Sequence, residues 1–101
     1  MRYHDIEIPA GKLAAFCQKN HICKLSFFGS ILRSDFRPDS DVDILVEFEP
    51  GTRIGLLGMA GLELDLSEIV GRKVDLRTPG DLSRYFRSEV LANSVVQYAS
   101  R

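Results

Sequence analysis

Two short stretches of this sequence hold the residue types that phosphate chemistry needs. The first is Gly29-Ser30, which follows the apolar run 22–28 and precedes a predicted helical turn. A helix start leaves backbone N–H groups unpaired, and these groups together with the helix dipole attract phosphate. Glycine lets the anion approach the backbone closely. Arg33, about one turn further along, could add a charged fork to the same phosphate group.

The second stretch is Asp41-Val42-Asp43, at the start of a predicted strand. Because side chains alternate across a strand, the two carboxylates point to the same face and repel each other. A divalent cation between them would relieve the repulsion, and hard oxygen ligands suit Mg²⁺ or Mn²⁺. Asp75, on the next predicted strand, would join them if the two strands are neighbours. Three carboxylates that face a phosphate cradle predict phosphoryl or nucleotidyl transfer.

Each of these features also has a plainer interpretation when it is taken alone. Gly-Ser after a strand is common as a simple turn and helix cap, Asp41 could cap a loop, and a single strand Asp such as Asp75 is more often just exposed. The arrangement favours the chemical interpretation, because the cradle, the acidic pair and the third carboxylate fall on three successive predicted strands.

The elements that must position these residues alternate between helix and strand. Helices are predicted over 9–20, 52–70 and 82–96, strands over 22–28, 41–48 and 72–77, and a short helix after Gly29. The three glycines at 55, 58 and 61 favour a later start of the long helix or a close approach by another backbone, and Gly71 predicts its end. We expect an α/β fold, a small mixed sheet covered by helices, with the strand order left open.

Length and composition exclude several classes of protein. The 101 residues suit one domain over 1–101, and 45% hydrophobic with 27% charged residues is typical of a globular chain. Thirteen basic against 14 acidic residues give a net charge of −1, so no direct nucleic-acid binding is expected. No signal peptide or membrane span is apparent, and we expect a cytoplasmic protein with Cys17 and Cys23 as free thiols.

The spacing of the motif carries a family resemblance. Gly29-Ser30, ten further residues and then Asp41-x-Asp43, with Pro38-Asp39-Ser40 leading in, resembles the signature of the nucleotidyltransferase superfamily that includes DNA polymerase beta. The Gly-Arg-Lys-Val-Asp-Leu context of Asp75, the tail 85–91 and the small size resemble the minimal nucleotidyltransferases (MNT) more narrowly, over about residues 9–98. Ser34 stands where this family often has glycine, which affects only the local turn.

The resemblance implies the nucleotidyltransferase fold and an enzyme that transfers AMP from ATP with Mg²⁺, as two ions, and releases pyrophosphate. It implies that Gly29 and Ser30 hold the triphosphate beside Arg33. By the same resemblance, Asp41 and Asp43 bind both metals, while Asp75 completes the metal site and helps to activate the acceptor hydroxyl. The family further implies an antitoxin that attaches AMP to a tyrosine of a HEPN-domain ribonuclease toxin, within a hetero-oligomer.

Two other functions stay open at this point. One is an antitoxin that neutralises the toxin by binding alone, although the intact carboxylates argue against it. The other is transfer to a small molecule, which in relatives requires additional substrate-binding domains. Because 101 residues leave room only for an open cleft, the acceptor is best sought on another protein.

Residues outside the motifs receive weaker assignments. Four cations are interpreted as solvated surface charges: Lys24, Arg37, Arg72 and Lys73. The aromatic pair Tyr85-Phe86 is the preferred contact with a partner protein. His4 and His21 receive no role.

Overall fold

A mixed four-stranded sheet organises this computed structural model, which describes residues 2–4 and 6–100. The helices of the described part are α1 (Ala10–Lys19), α2 (Leu56–Val70) and α3 (Arg87–Asn93). The strands are β1 (Arg2–Tyr3), β2 (Ile6–Glu7), β3 (Ile22–Phe28), β4 (Val42–Phe48), β5 (Val74–Arg77) and β6 (Val95–Ala99). Two 3-10 turns, Gly29–Leu32 and Pro79–Asp81, follow β3 and β5.

The strand order in the main sheet is β5-β4-β3-β6. Strands β4 and β5 run parallel and are joined through α2, whereas β3 runs antiparallel to both β4 and β6. Strands β1 and β2 form a separate antiparallel hairpin. The architecture confirms the expected small mixed sheet covered by helices and supplies the order that the sequence left open.

The core lies between the sheet and the two longer helices. The buried residues of α1 are Leu13, Phe16 and Cys17, and those of α2 are Leu62, Leu66 and Val70. They pack in one cluster with buried strand residues such as Leu25, Phe27, Ile44 and Val46. Burial of this apolar surface is the main force that fixes the sheet edges in place. No helix in the described ranges has the length and apolar character needed to span a bilayer.

Side chains of α2 protect the free edge of β5. The backbone N–H of Val74 donates to Ser67 Oγ at 3.0 Å, and the N–H of Leu76 donates to Glu63 Oε2 at 2.8 Å. These two side chains take the positions that the carbonyls of a fifth strand would occupy. The helix therefore fixes β5 through hydrogen bonds as well as through apolar packing.

Most predicted elements are confirmed with small shifts in their ends. Strand β3 has the predicted bounds, β4 begins one residue after Asp41, and β5 begins at Val74 instead of residue 72. Helix α2 has the later start that its glycines favoured, with Gly55 as its N-cap. Gly71 ends it in the left-handed conformation at φ 78°.

The prediction of a helix over 82–96 is wrong at both ends. Helix α3 covers only Arg87–Asn93, and β6 follows it, pairing with β3. Ser94 is already extended at ψ 149°, and Val95, Val96 and Tyr98 are residue types that favour strands. The main chain of β3 offers this segment hydrogen-bond partners, and tertiary pairing outweighs the local helical pattern. The β1–β2 hairpin was also not predicted.

Candidate active site

The end of β3 and the starts of β4 and β5 meet at one edge of the sheet. Asp43 on β4 lies directly opposite Asp75 on β5 in the parallel register. Phe28, the last residue of β3, lies opposite Asp43 on its other side. The chain leaves β3 through Gly29 and Ser30, so the predicted cradle and two of the three predicted carboxylates occupy neighbouring positions.

Gly29 packs closely against the Asp43 carboxylate. It has φ +73°, a left-handed conformation, and a Cβ added to it would overlap the Asp43 side chain. The backbone N–H of Ser30 donates a hydrogen bond to the same carboxylate. The Ser30 hydroxyl donates to the Asp41 carbonyl at 3.4 Å. The turn is thus fastened directly onto the acidic pair.

The three carboxylates influence one another electrostatically. Burial raises the pKa of Asp43 above its ordinary value, and the charges of Asp75 and Asp41 raise it further. The Ser30 N–H and the Arg77 guanidinium act in the opposite direction and lower it. The net effect is a raised pKa, which is the mark of a negative charge without enough compensation.

Two cations balance the outer carboxylates. Arg77 Nε lies 3.1 Å from Asp75 Oδ1, and its Nη2 lies 3.4 Å from Oδ2. Hydrogen bonding to Asp75 raises the pKa of Arg77, so this guanidinium stays charged. Lys73 Nζ is 4.0 Å from Asp41 Oδ2, but its side chain is 80% exposed, and this contact contributes little.

The donor set has the chemistry that Mg²⁺ requires, because all three side chains offer carboxylate oxygens. Across the described ranges, however, no group of three His, Cys, Asp or Glu side chains has the geometry of a metal site as it stands. Both oxygens of Asp75 are turned toward Arg77. A shared metal site therefore requires the Asp75 side chain to exchange its ion pair for the metal.

Arg33 lies at the mouth of the cradle, beside Gly29. Its backbone N–H donates to the Ser30 carbonyl and closes the 3-10 turn. Its guanidinium pairs with Asp35 at 3.3 Å, and the side chain is 68% exposed. Arg33 and Gly29 line one wall of a groove of about 510 Å³ whose other wall is formed by α3 and by Phe86, the residue before it. A phosphate chain leaving the cradle on this side would pass Arg33.

A clamp that the sequence did not reveal holds the loop before Asp41. Arg72 Nη2 donates to the carbonyls of Arg37 at 2.8 Å and Ser40 at 3.1 Å. Its guanidinium lies 5.1 Å from the ring centroid of Phe36. The interpretation of Arg72 as a solvated charge is therefore wrong, because two loop carbonyls and an aromatic face surround it. A lone phenylalanine in an otherwise polar loop was the available signal.

His4 supports the same loop. Its ring stacks on Phe36 with centroids 4.8 Å apart, and its Nε2 is 2.8 Å from the Ile31 carbonyl. The hairpin thereby connects the 3-10 turn after β3 to the loop that leads to Asp41. His4, which received no role from the sequence, belongs to the support of the site.

A second cavity, of about 700 Å³, opens on the other side of Asp75. Asp75 and Arg77 line one side of it, and Ile54, Leu56 and Glu63 line the side formed by α2 and the segment before it. The acidic edge therefore has open space on both flanks, with the Gly29 groove on one side and the Asp75 cavity on the other. An arrangement of this kind can hold a phosphate-bearing substrate between a cradle and an acceptor.

The family assignment rests on a match over most of the chain. A family model described as a nucleotidyltransferase domain matches residues 11–97. The chain belongs to this nucleotidyltransferase family, as its motif indicated.

Two named relatives are similar to this chain over most of its length. A protein of Methanocaldococcus jannaschii, provisionally named a protein adenylyltransferase, is 32% identical over 84 residues, which cover 83% of this chain and 88% of the relative. Protein adenylyltransferase MntA of Thermococcus cleftensis is 38% identical over 72 residues, 71% of each chain.

Solved structures agree with the fold. A structure provisionally described as a minimal nucleotidyltransferase aligns with TM-score 0.69 and 32% identity, covering 85% of this chain and 86% of that one. A toxin-antitoxin crystal structure with AMP-PNP aligns with TM-score 0.73 at 18% identity, covering 93% and 76%. A tri-AMPylated Shewanella oneidensis HEPN toxin in complex with an MNT antitoxin aligns with TM-score 0.64 at 18% identity, covering 90% and 70%. The likeness to the last two shows the nucleotidyltransferase fold.

Proposed function

We propose that this protein is a Mg²⁺-dependent protein adenylyltransferase of the cytoplasm. It transfers AMP from ATP to a tyrosine hydroxyl of a HEPN-domain ribonuclease toxin, forms a hetero-oligomer with that toxin, and acts as its antitoxin. The observation that carries the proposal is the alignment of Asp43 with Asp75 beside the Gly29–Ser30 turn. The relatives named as protein adenylyltransferases and the fold shared with a HEPN–MNT complex support the choice of acceptor.

The cradle would hold the leaving part of the nucleotide. The turn places the Ser30 hydroxyl and backbone at the acidic edge, where the β- and γ-phosphates of ATP would accept hydrogen bonds from them. The Ser30 N–H now bonds to Asp43, so a bound phosphate would compete for this donor. Arg33 would swing from Asp35 to the same phosphates.

Asp41, Asp43 and Asp75 would hold two Mg²⁺ ions. When bound, the metal neutralises phosphate charge and lowers the pKa of the acceptor hydroxyl. Asp75 borders the cavity on the side away from the cradle, so it would orient the incoming hydroxyl. The acceptor oxygen forms a bond to the α-phosphorus, and the bond from that phosphorus to the bridging oxygen breaks. Pyrophosphate leaves toward the cradle, and the hydroxyl proton passes to solvent.

The decisive experiment measures AMP transfer to the HEPN-domain protein from the same genome. The purified pair is incubated with labelled ATP and Mg²⁺, and label on the toxin is followed. Asp41→Asn combined with Asp43→Asn should reduce transfer by about a thousandfold or more, because the charge that holds the metal is lost. EDTA should stop the reaction of the parent protein, and added Mg²⁺ should restore it.

A matched control removes a charge from the other end of the same strand. Glu49 is exposed just beyond β4, and Glu49→Gln should leave transfer at the parental rate. Parental transfer by the double Asp variant would refute the proposed chemistry. A double variant that still protects cells from the toxin, with no AMP found on the toxin of protected cells, would support neutralisation by binding alone.

A further inference from the structure

The outer face of α2 is an apolar surface that nothing in the described chain covers. Leu56 and Leu57 are each 90% exposed and Leu64 is 70% exposed, whereas the opposite face of the helix is buried in the core. Leu57 and Leu64 are seven residues apart, two full helical turns, so they lie on one stripe. Ala60 and Gly61 lie between them and are exposed as well, so no large side chain separates the two leucines. Exposed large apolar side chains in a row mark an interaction surface.

The charges on this helix indicate the chemistry of the partner. Between Leu56 and Val70 the sequence carries Glu63, Asp65 and Glu68 and neither lysine nor arginine. Asp65 and Glu68 are exposed and border the apolar stripe. Glu63 is turned toward β5, so a second copy of the helix would bring its own Asp65 and Glu68 against these two carboxylates, which is unfavourable. A different protein, with an apolar ridge flanked by lysine or arginine, fits both the stripe and its rim.

The position of this surface connects it to the site. Leu56 and Ile54 line the same cavity as Asp75 and Arg77, so one end of the apolar face borders the cavity of the third carboxylate. A protein seated on α2 has its nearest entry to the acidic edge through this cavity. The Gly29 groove lies on the other flank, beside α3, and stays free for the nucleotide.

We propose that the outer face of α2, formed by Leu56, Leu57 and Leu64 with Asp65 and Glu68 at its rim, is the docking surface for the protein acceptor. This inference rests on the proposed function, since it assigns the surface that delivers the acceptor hydroxyl to Asp75. Docking on a surface outside the catalytic cleft explains how the domain selects a protein substrate. Binding energy gained on α2 positions the reacting hydroxyl at the cavity mouth.

The test measures association of the HEPN-domain protein from the same genome with variants of the full chain. Leu57→Lys combined with Leu64→Lys should weaken binding by at least about tenfold, because the stripe is the centre of the interface. Asp65→Lys combined with Glu68→Lys should slow association at low salt by roughly tenfold. Gln18→Lys, at an exposed position of α1, is the control for an added helical charge and should bind like the parent.

Nucleotide binding separates this inference from the proposed chemistry. AMP-PNP with Mg²⁺ should bind the leucine variant as tightly as the parent, since the cradle is untouched. If the leucine variant binds the HEPN protein as tightly as the parent and transfers AMP to it at the parental rate, the docking inference is overturned and the chemistry stands. If the parent transfers no AMP but the leucine variant still loses binding, the docking surface stands and the chemistry fails.

Self-association is the remaining outcome, and sedimentation velocity resolves it. In the absence of the HEPN protein, we expect the parent and the leucine variant to sediment as the same species. A parent that self-associates through α2, becomes monomeric with Leu57→Lys and Leu64→Lys, and binds the HEPN protein equally well in both forms would overturn it. In that case the surface would belong to a second copy of the chain.

Discussion

Replacement of Gly29 by alanine tests the closest contact of the site. The substitution forces a residue with a side chain into a left-handed backbone at φ +73°, which costs about 1–2 kcal/mol. The new methyl group would also overlap the Asp43 carboxylate, which must move. Displacement weakens the hydrogen bond from the Ser30 N–H, and a bond to a charged group contributes about 1.5–3 kcal/mol. Together these predict a loss of about 2–4 kcal/mol in the free energy of unfolding.

Gly71→Ala separates backbone strain from displacement of the carboxylate. Gly71 has nearly the same conformation, φ +78°, but an added Cβ meets nothing within 4 Å. Both variants share the strain and the reduced entropy of the unfolded chain, so these contributions cancel in the comparison. The difference between the two variants in urea unfolding therefore measures the Gly29–Asp43 contact, and we expect Gly29→Ala to be less stable by about 1–2 kcal/mol.

Activity gives the second measurement on the same pair. Movement of Asp43 by about 1 Å should reduce AMP transfer by roughly a hundredfold, while Gly71→Ala, at the far end of α2, should retain the parental rate once it is folded. Equal losses of stability in the two variants, together with parental activity for Gly29→Ala, would refute the argument. The carboxylate would then have room that the structure does not show.

Three further predictions concern charge, reactivity and the clamp. Because the pKa of Asp43 is raised in the folded protein, its contribution to stability is present at acid pH and lost as pH rises through the raised value. The free energy of unfolding of Asp43→Asn, measured in urea, should therefore rise relative to that of the parent between pH 4 and pH 7. A difference between the two proteins that does not change with pH would contradict this. Burial raises the pKa of Cys17 to about 12. A thiol reagent at pH 8 should therefore modify only Cys23 in the native protein, and both cysteines after unfolding. Rapid labelling of Cys17 in the native protein would be inconsistent with its burial. Arg72→Ala should lower the free energy of unfolding by about 1–3 kcal/mol and raise the KM for ATP. Lys73→Ala, at the next position but with an exposed side chain, should change neither quantity. Equal effects of the two substitutions would exclude the clamp.

Residues that act through local sequence were predictable. The end of β3 at Gly29, the positive φ of Gly71 and the later start of α2 all follow from the conformational preferences of glycine. Asp43 and Asp75 were each placed on strands by short patterns. Their alignment depended on whether β4 and β5 are neighbours, which local pattern does not determine, but the family resemblance made it the expected arrangement.

Features that depend on distant partners were not predictable from pattern. Segment 95–99 is a strand because β3 has a free side to pair with, and a helical reading of residues 82–96 contains no information on that pairing. Arg72 is bound because the loop carbonyls of Arg37 and Ser40 lie within its reach, 35 and 32 residues away along the chain. The ion pair between Arg77 and Asp75 spans only two residues, yet it too depends on strand geometry that places both side chains on one face.

The two margins of the sheet differ in a way that affects how the protein can misassemble. On β5, the Val74 and Leu76 N–H groups are already bonded to α2, so an incoming strand finds those donors taken. The β6 margin has exposed Val95 and Val96, and it is the side on which a foreign strand could add. Aggregation by strand addition would therefore start three strands away from Asp75. The acidic edge would stay intact in an oligomer formed that way. Aged protein should therefore lose solubility before its specific activity falls.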